Sequence, residues 1–146
     1  MTATYGKHGI QFLYPANWTL QENVTGQMPF GITLESPSGG LWILSVFAAG
    51  TDKDMLIRDT ATTLETQYDC LELTRFEDAI EDYSVEGFDA FFYCLDLLVS
   101  AQIRVIATNE FTFVVLAQAE NREYDKLVEV FNAVTVSLLK PDLSTA

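Results

Sequence analysis

Few residues in this chain carry chemistry. The pair that stands out is a carboxylate and a guanidinium, Asp96 and Arg104. If a three-residue loop over Val99–Ala101 joins the strands that hold them, the two side chains face each other on one sheet surface. Opposite charges at facing positions make a cross-strand ion pair, with Gln102 or Gln118 beside it. The same polar spot in an otherwise apolar sheet could instead line a small-ligand pocket near Tyr93. The sequence leaves both readings open.

Other reactive constellations are thin. The one histidine, His8, lies near an N-terminus that nothing obvious ties down, and a general base needs fixed geometry. Cys70 and Cys94 read as two buried, reduced thiols, and no third group orients His8 toward either of them. One His and two separated Cys do not make a tetrahedral zinc site. The carboxylates Glu77, Asp78, Glu81, Asp82, Glu86 and Asp89 could hold calcium loosely, but such a run is usually a solvated loop. There is no P-loop, no dinucleotide fingerprint and no nucleophile elbow. The expectation is no catalytic residue, no cofactor and no metal; enzymatic activity is left undecided, with the residues leaning against it.

Among the aromatic residues Trp42, Phe91, Phe92 and Tyr93, most are expected in the core, because large rings dominate core area. Two helices leave part of a sheet open, and an open apolar area marks a partner or dimer surface. Trp42, Tyr93, Asp96, Arg104 and Gln118 are therefore the candidate partner or pocket surface.

Charge narrows the partners. Asp and Glu number 21 against 8 Lys and Arg, for a net charge of −13. Phosphate backbones and anionic lipid surfaces repel such a chain, so nucleic acid and membrane are not expected as partners. A basic protein, or a second copy forming a homodimer, fits better. No apolar run reaches bilayer length, and the start "MTATYGKHGIQF" shows no basic segment followed by an apolar one. A cytoplasmic location is expected.

The elements that must position these residues follow from periodicity. "GIQFLYP" alternates and stops at Pro15 as a first strand, and "ANWTL" is a second short strand or a turn. "FGITLES" and "LWILSVFAA" form a hairpin across "PSGG". Thr51 and Asp54 suggest a capping box for a helix that turns Ile57, Ala61, Leu64 and Tyr68 toward the sheet. "LELTRFED", "AFFYCLDLLV", "QIRVIAT" and "FTFVVLAQA" follow as strands, the last two joined at Asn109–Glu110. A closing helix carries Tyr124, Leu127, Val128, Phe131 and Val134 on one stripe. The fold class is α+β: an α/β/α sandwich with a central antiparallel sheet of about six or seven strands and one helix on each face. Residues 1–146 read as one domain, with 1–8 and 140–146 as loose tails.

Two stretches carry a resemblance. "GIQFLYPANW" is similar to the opening strand of PsbP-like domains, in which a Tyr-Pro step precedes a Trp, and "VFNAVTVSLL" resembles their closing helix. The element order matches over nearly the whole chain. That superfamily includes the extrinsic photosystem II subunit, a Ran-binding nuclear-transport factor and chaperones for secreted effectors, which work by binding other proteins. The resemblance implies a non-catalytic adaptor or chaperone-like accessory role. The alternative is a small-ligand-binding domain or cryptic enzyme with a pocket near Asp96 and Arg104.

Overall fold

The computed structural model describes residues 1–80 and 82–140. Nine strands and two helices succeed one another among them: β1 (Thr2–Lys7), β2 (Ile10–Pro15), β3 (Thr19–Asn23), β4 (Phe30–Glu35), β5 (Leu41–Ala48), α1 (Lys53–Gln67), β6 (Asp69–Ile80), β7 (Tyr83–Cys94), β8 (Leu97–Ala107), β9 (Phe111–Glu120) and α2 (Asn121–Leu139). β1 and β2 form a separate hairpin. The other seven strands make one sheet in the order β3-β4-β5-β9-β8-β7-β6, antiparallel throughout.

Alternation sorts the side chains onto two faces. On one face Trp42, Leu44 and Val46 of β5 meet Ile32 and Leu34 of β4 and Phe113, Val115 and Ala117 of β9. α2 and the β1–β2 hairpin cover this face, adding Phe12, Phe131, Val134 and Leu138. On the other face α1 lays Leu56, Ile57 and Leu64 over Phe88, Ala90 and Phe92 of β7 and Ala101, Ile103 and Val105 of β8. The molecule is thus an α+β sandwich with a helix on each face. Each large apolar side chain so buried contributes about 1.5–3 kcal/mol.

Trp42 joins the layers. Its indole Nε1–H donates to Thr135 Oγ1 on α2 (3.0 Å), and the Thr135 hydroxyl donates to the Phe131 carbonyl. α2 also rides close over the β4–β5 turn, where a side-chain carbon on Gly40 would collide with Leu127 Cδ1.

Two expectations change, the N-terminal tail and the cap of the first helix. The stretch 1–8 is no loose tail: β1 pairs with β2 over its whole length, and Tyr5 is buried and stacked on Phe12. Glu22 on β3 secures this hairpin, accepting from Tyr5 Oη (3.1 Å) and Lys7 Nζ (3.2 Å); the Lys7 bond holds its carboxyl below the ordinary range. Of 140–146, all but Lys140 lie outside the described residues. The cap of α1 is Asp52, whose carboxylate accepts from the Asp54 and Met55 amides, while Thr51 turns back to the Ala48 carbonyl. "ANWTL" resolves into a buried Trp18 followed by strand β3. No helix among the described residues is long and apolar enough to cross a membrane.

Candidate functional site

Arg104 sits on β8 on the α2 face, in register with Gly87 of β7 and, one strand further, Phe76 of β6. Glycine at that point decides the arrangement. A Cβ there would run into the Ile103 carbonyl, and without one the arginine lies across β7. Its guanidinium carbon stands 3.5 Å from the centroid of Phe76. Nη1 donates to the Phe88 and Ile103 carbonyls (both 3.2 Å), and Nη2 to Asp89 Oδ1 (2.8 Å) and Gln102 Oε1 (3.1 Å). Gln102 in turn donates to Asn132 of α2 (3.0 Å). Arg104 is 9 % exposed. A buried guanidinium so fully engaged holds strands together, because its own donors, which water reaches poorly, are satisfied by acceptors on β7 and β8.

Beside it, Phe76, Ile80, Val85, Asn132 and Val136 line a cleft of about 290 Å³ between α2 and the β6–β8 part of the sheet. Tyr124 stands at the N-terminal end of the same helix. Burial, and then the negative charge of Asp89, push its phenol above the ordinary value.

The expected partner of Arg104 is elsewhere. β7 and β8 are joined by the two residues Leu95–Asp96, both left-handed (φ 52° and 69°), the geometry of a type I′ hairpin turn. Asp96 is at the tip of that turn. Val99–Ala101, expected as a loop, belongs to β8. Asp89 takes the place expected for Asp96. Gln118, paired in register with Leu41 and Ala101, projects to the α1 face, away from Arg104. Trp42 is fully buried and offers nothing to a partner. Of the five candidate residues, Tyr93 and Asp96 lie together at the hairpin end, while Arg104 lies in the cleft.

Four of the exposed large apolar side chains among the described residues fall at that hairpin end. Phe91 is 41 % exposed, Tyr93 52 %, Leu95 92 % and Leu97 53 %. Phe91 and Tyr93 lie on the α2 face beyond the helix, Leu95 caps the turn, and Leu97 lies on the α1 face. Neither backbone nor packing asks for leucine at position 95. The first central residue of a type I′ turn favours Asn, Asp or Gly, and a β-carbon there is strained. Carboxylates of Glu72, Asp89 and Asp96 surround the apolar residues.

The remaining candidates are dispersed. His8 is held in the β1–β2 turn, its Nε2 3.7 Å from Glu22 Oε2. It lines a cleft of about 660 Å³ with Gln11, Tyr83 and Glu110 at the β8–β9 end of the sheet, while Cys94 is beside the opposite turn. Cys70 is exposed and Cys94 half-buried, rather than both being core thiols, since Cys70 falls in a bulge at the start of β6. The acidic run divides between faces: Glu77 pairs with Arg75, Glu86 with Lys53 of α1, and Asp89 with Arg104. Glu81 lies outside the described residues.

Solved structures resemble this arrangement. Cyanobacterial PsbP (CyanoP) from Synechocystis sp. PCC 6803 matches with a TM-score of 0.69 at 15 % identity, over 93 % of this chain and 90 % of that one. The chain has a PsbP-like fold. LpqN of Mycobacterium tuberculosis, described as involved in cell envelope biogenesis, shares this fold at TM-score 0.60 and 14 % identity, over 92 % and 87 % of the two chains. PA94 of Pseudomonas aeruginosa, a protein of unknown function, matches at 0.56 and 10 %, over 94 % and 95 %. No family model matches the sequence, and no curated protein does. At such identities the PsbP-like likeness speaks for the fold alone.

Proposed function

We propose that this PsbP-like chain is a non-catalytic protein-binding domain, an adaptor or chaperone-like accessory, that docks a basic protein through the β7–β8 hairpin end. The observation that carries this reading is the exposed set Phe91, Tyr93, Leu95 and Leu97, including a leucine in a turn position that disfavours it. Exposed apolar side chains gathered around one hairpin tip and rimmed by charge are how partner surfaces look before the partner arrives. The rim here is acidic, and a net charge of −13 steers basic proteins toward it.

The small-ligand alternative keeps only the cleft beside Arg104. With Asp96 at the turn and four Arg104 hydrogen bonds spent on protein acceptors, the cleft offers a ligand an apolar wall with the Asp78 carboxylate beside it rather than a free guanidinium.

The test is capture from the source cells with the wild-type chain and with a Tyr93→Ser/Leu95→Ser/Leu97→Ser variant, whose unchanged circular dichroism certifies its fold. A stoichiometric basic partner, cross-linked to the hairpin and lost by the variant, is the expected result. The same partner held equally by both chains would overturn the docking surface. Turnover of a substrate by the isolated chain would overturn the non-catalytic role.

A further inference from the structure

β6 is an edge of the seven-stranded sheet, bonded to β7 on one side. After the bulge at its start it runs regularly from Glu72 to Ile80. Along this run only Phe76 and Ile80 are half-buried and the other side chains are exposed. A long uncovered edge is a template for another strand unless something discourages pairing.

What discourages it is selective. On the α2 face the edge presents Glu72, Thr74, Phe76 and Asp78, with Asp89 of β7 behind them. On the α1 face it presents Leu73, Arg75, Glu77 and Ala79, where Arg75 and Glu77 pair at 3.2 Å. One face is therefore negative and the other neutral with apolar ends. In an antiparallel pairing of two copies about Arg75, Glu72 of one would face Asp78 of the other and arginine would face arginine, and in any register two chains of net charge −13 repel each other. An entering strand with Lys or Arg on the α2 side meets the reverse situation. Its aliphatic stems can lie along Phe76 toward the apolar cleft while the charged ends reach the carboxylates.

Resting on the protein-binding reading above, we infer that β6 takes up an extended segment of the partner as an added strand. This segment alternates basic residues on the α2 side with apolar residues on the α1 side. Backbone bonds along the edge supply affinity, and the alternation of charge supplies specificity.

The probe is a capped nine-residue peptide alternating Lys and Val, titrated into the full-length chain by fluorescence polarisation and followed by amide hydrogen exchange. Saturable binding is expected, with new protection of β6 amides. The Glu72→Lys/Asp78→Lys variant, changed only at exposed positions, is expected to bind at least about tenfold more weakly. A block peptide of the same composition should bind more weakly too. Four results would overturn the inference: no binding by about 1 mM, some 4 kcal/mol; binding without β6 protection; equal binding by the charge-reversed variant or the block peptide; or β6 protection that grows with protein concentration alone, which would assign the edge to a second copy. None of these touches the hairpin-end reading, whose test is the loss of a captured partner by the Tyr93, Leu95 and Leu97 substitutions.

Discussion

Replacing Arg104 with methionine keeps an unbranched apolar stem in the cleft and deletes the guanidinium. The Phe88 and Ile103 carbonyls, both within paired strands, each lose a second donor worth about 1 kcal/mol, and the Oε1 of buried Gln102 loses the guanidinium that it accepts from, which costs about 1–3 kcal/mol. The cation–π contact with Phe76 adds about 1 kcal/mol. Asp89, whose side chain is 45 % exposed, turns to water and adds little. Against these, removing a nearly buried charge returns part of its desolvation cost, and the thioether retains contact with the Phe76 ring. The balance is a loss of about 3 kcal/mol, which for a chain near this size lowers Tm by about 10 °C. Asp89→Asn, which keeps an acceptor at a half-exposed position, should cost about 1 kcal/mol. Thermal melts followed by circular dichroism, with urea titrations for the free energies, separate the two. A Tm for Arg104→Met within about 3 °C of wild type, or equal losses for both variants, would refute the view that the arginine ties β7, β8 and β6 together.

Gly87→Ala places a methyl against the Ile103 carbonyl and Arg104 Cα, backbone atoms that no rotamer change moves. A loss of about 3 kcal/mol or more is expected in urea titration, and a change below about 1 kcal/mol would show that β7 relaxes freely there. Tyr5 gives a pH signature. Burial, then the hydrogen bond to Glu22 and its charge, push the phenol from 10.0 up to about 12, so the fold favours its protonated form. That contribution is whole below about pH 10 and is lost as pH rises toward about 12. Across this window the urea midpoint of the wild type should fall more steeply than that of Tyr5→Phe, and parallel declines would count against the assignment.

The legible parts of the sequence were those whose signals are local. "FGITLES", "PSGG" and "LWILSVFAA" announce β4, its turn and β5, and the stripe from Tyr124 to Val134 announces α2. β1 was hidden because, of "TATYGK", only Tyr5 is buried. Its partners are Phe12 in the same hairpin and Glu22 on another strand. The Arg104 site failed on register. "CLDLLVS" contains no Asn-Gly or Asp-Gly to mark a type I′ turn, and displacing the turn from Leu95–Asp96 to Val99–Ala101 changes every partner along two strands. Asp89 then goes unseen, although Gly87 was a usable signal. A glycine inside a strand pattern marks a close approach, here of Arg104.

The same topology explains which surfaces stay open. Seven strands at about 4.8 Å spacing make a sheet roughly 29 Å across, and one helix about 10 Å wide covers little more than two of them. α1 leaves β5 and must return at the far edge as β6, so it lies over β6–β8 and leaves β3–β5 bare on its face. α2 turns back from β9 in the middle, and the β1–β2 hairpin fills the β3–β5 side beneath it, which covers Val85 but leaves the Phe91–Tyr93 end of β7 and most of β6 open on that face. The two open areas are therefore diagonal and chemically unlike. Thr33, Ile43, Ser45 and Phe47 on the first are all half-buried. The second continues into the exposed Phe91–Leu97 hairpin and along an edge whose α2 face carries the exposed carboxylates Glu72 and Asp78. The second combines accessible apolar groups with exposed negative charge, a combination that favours a basic partner while opposing self-association.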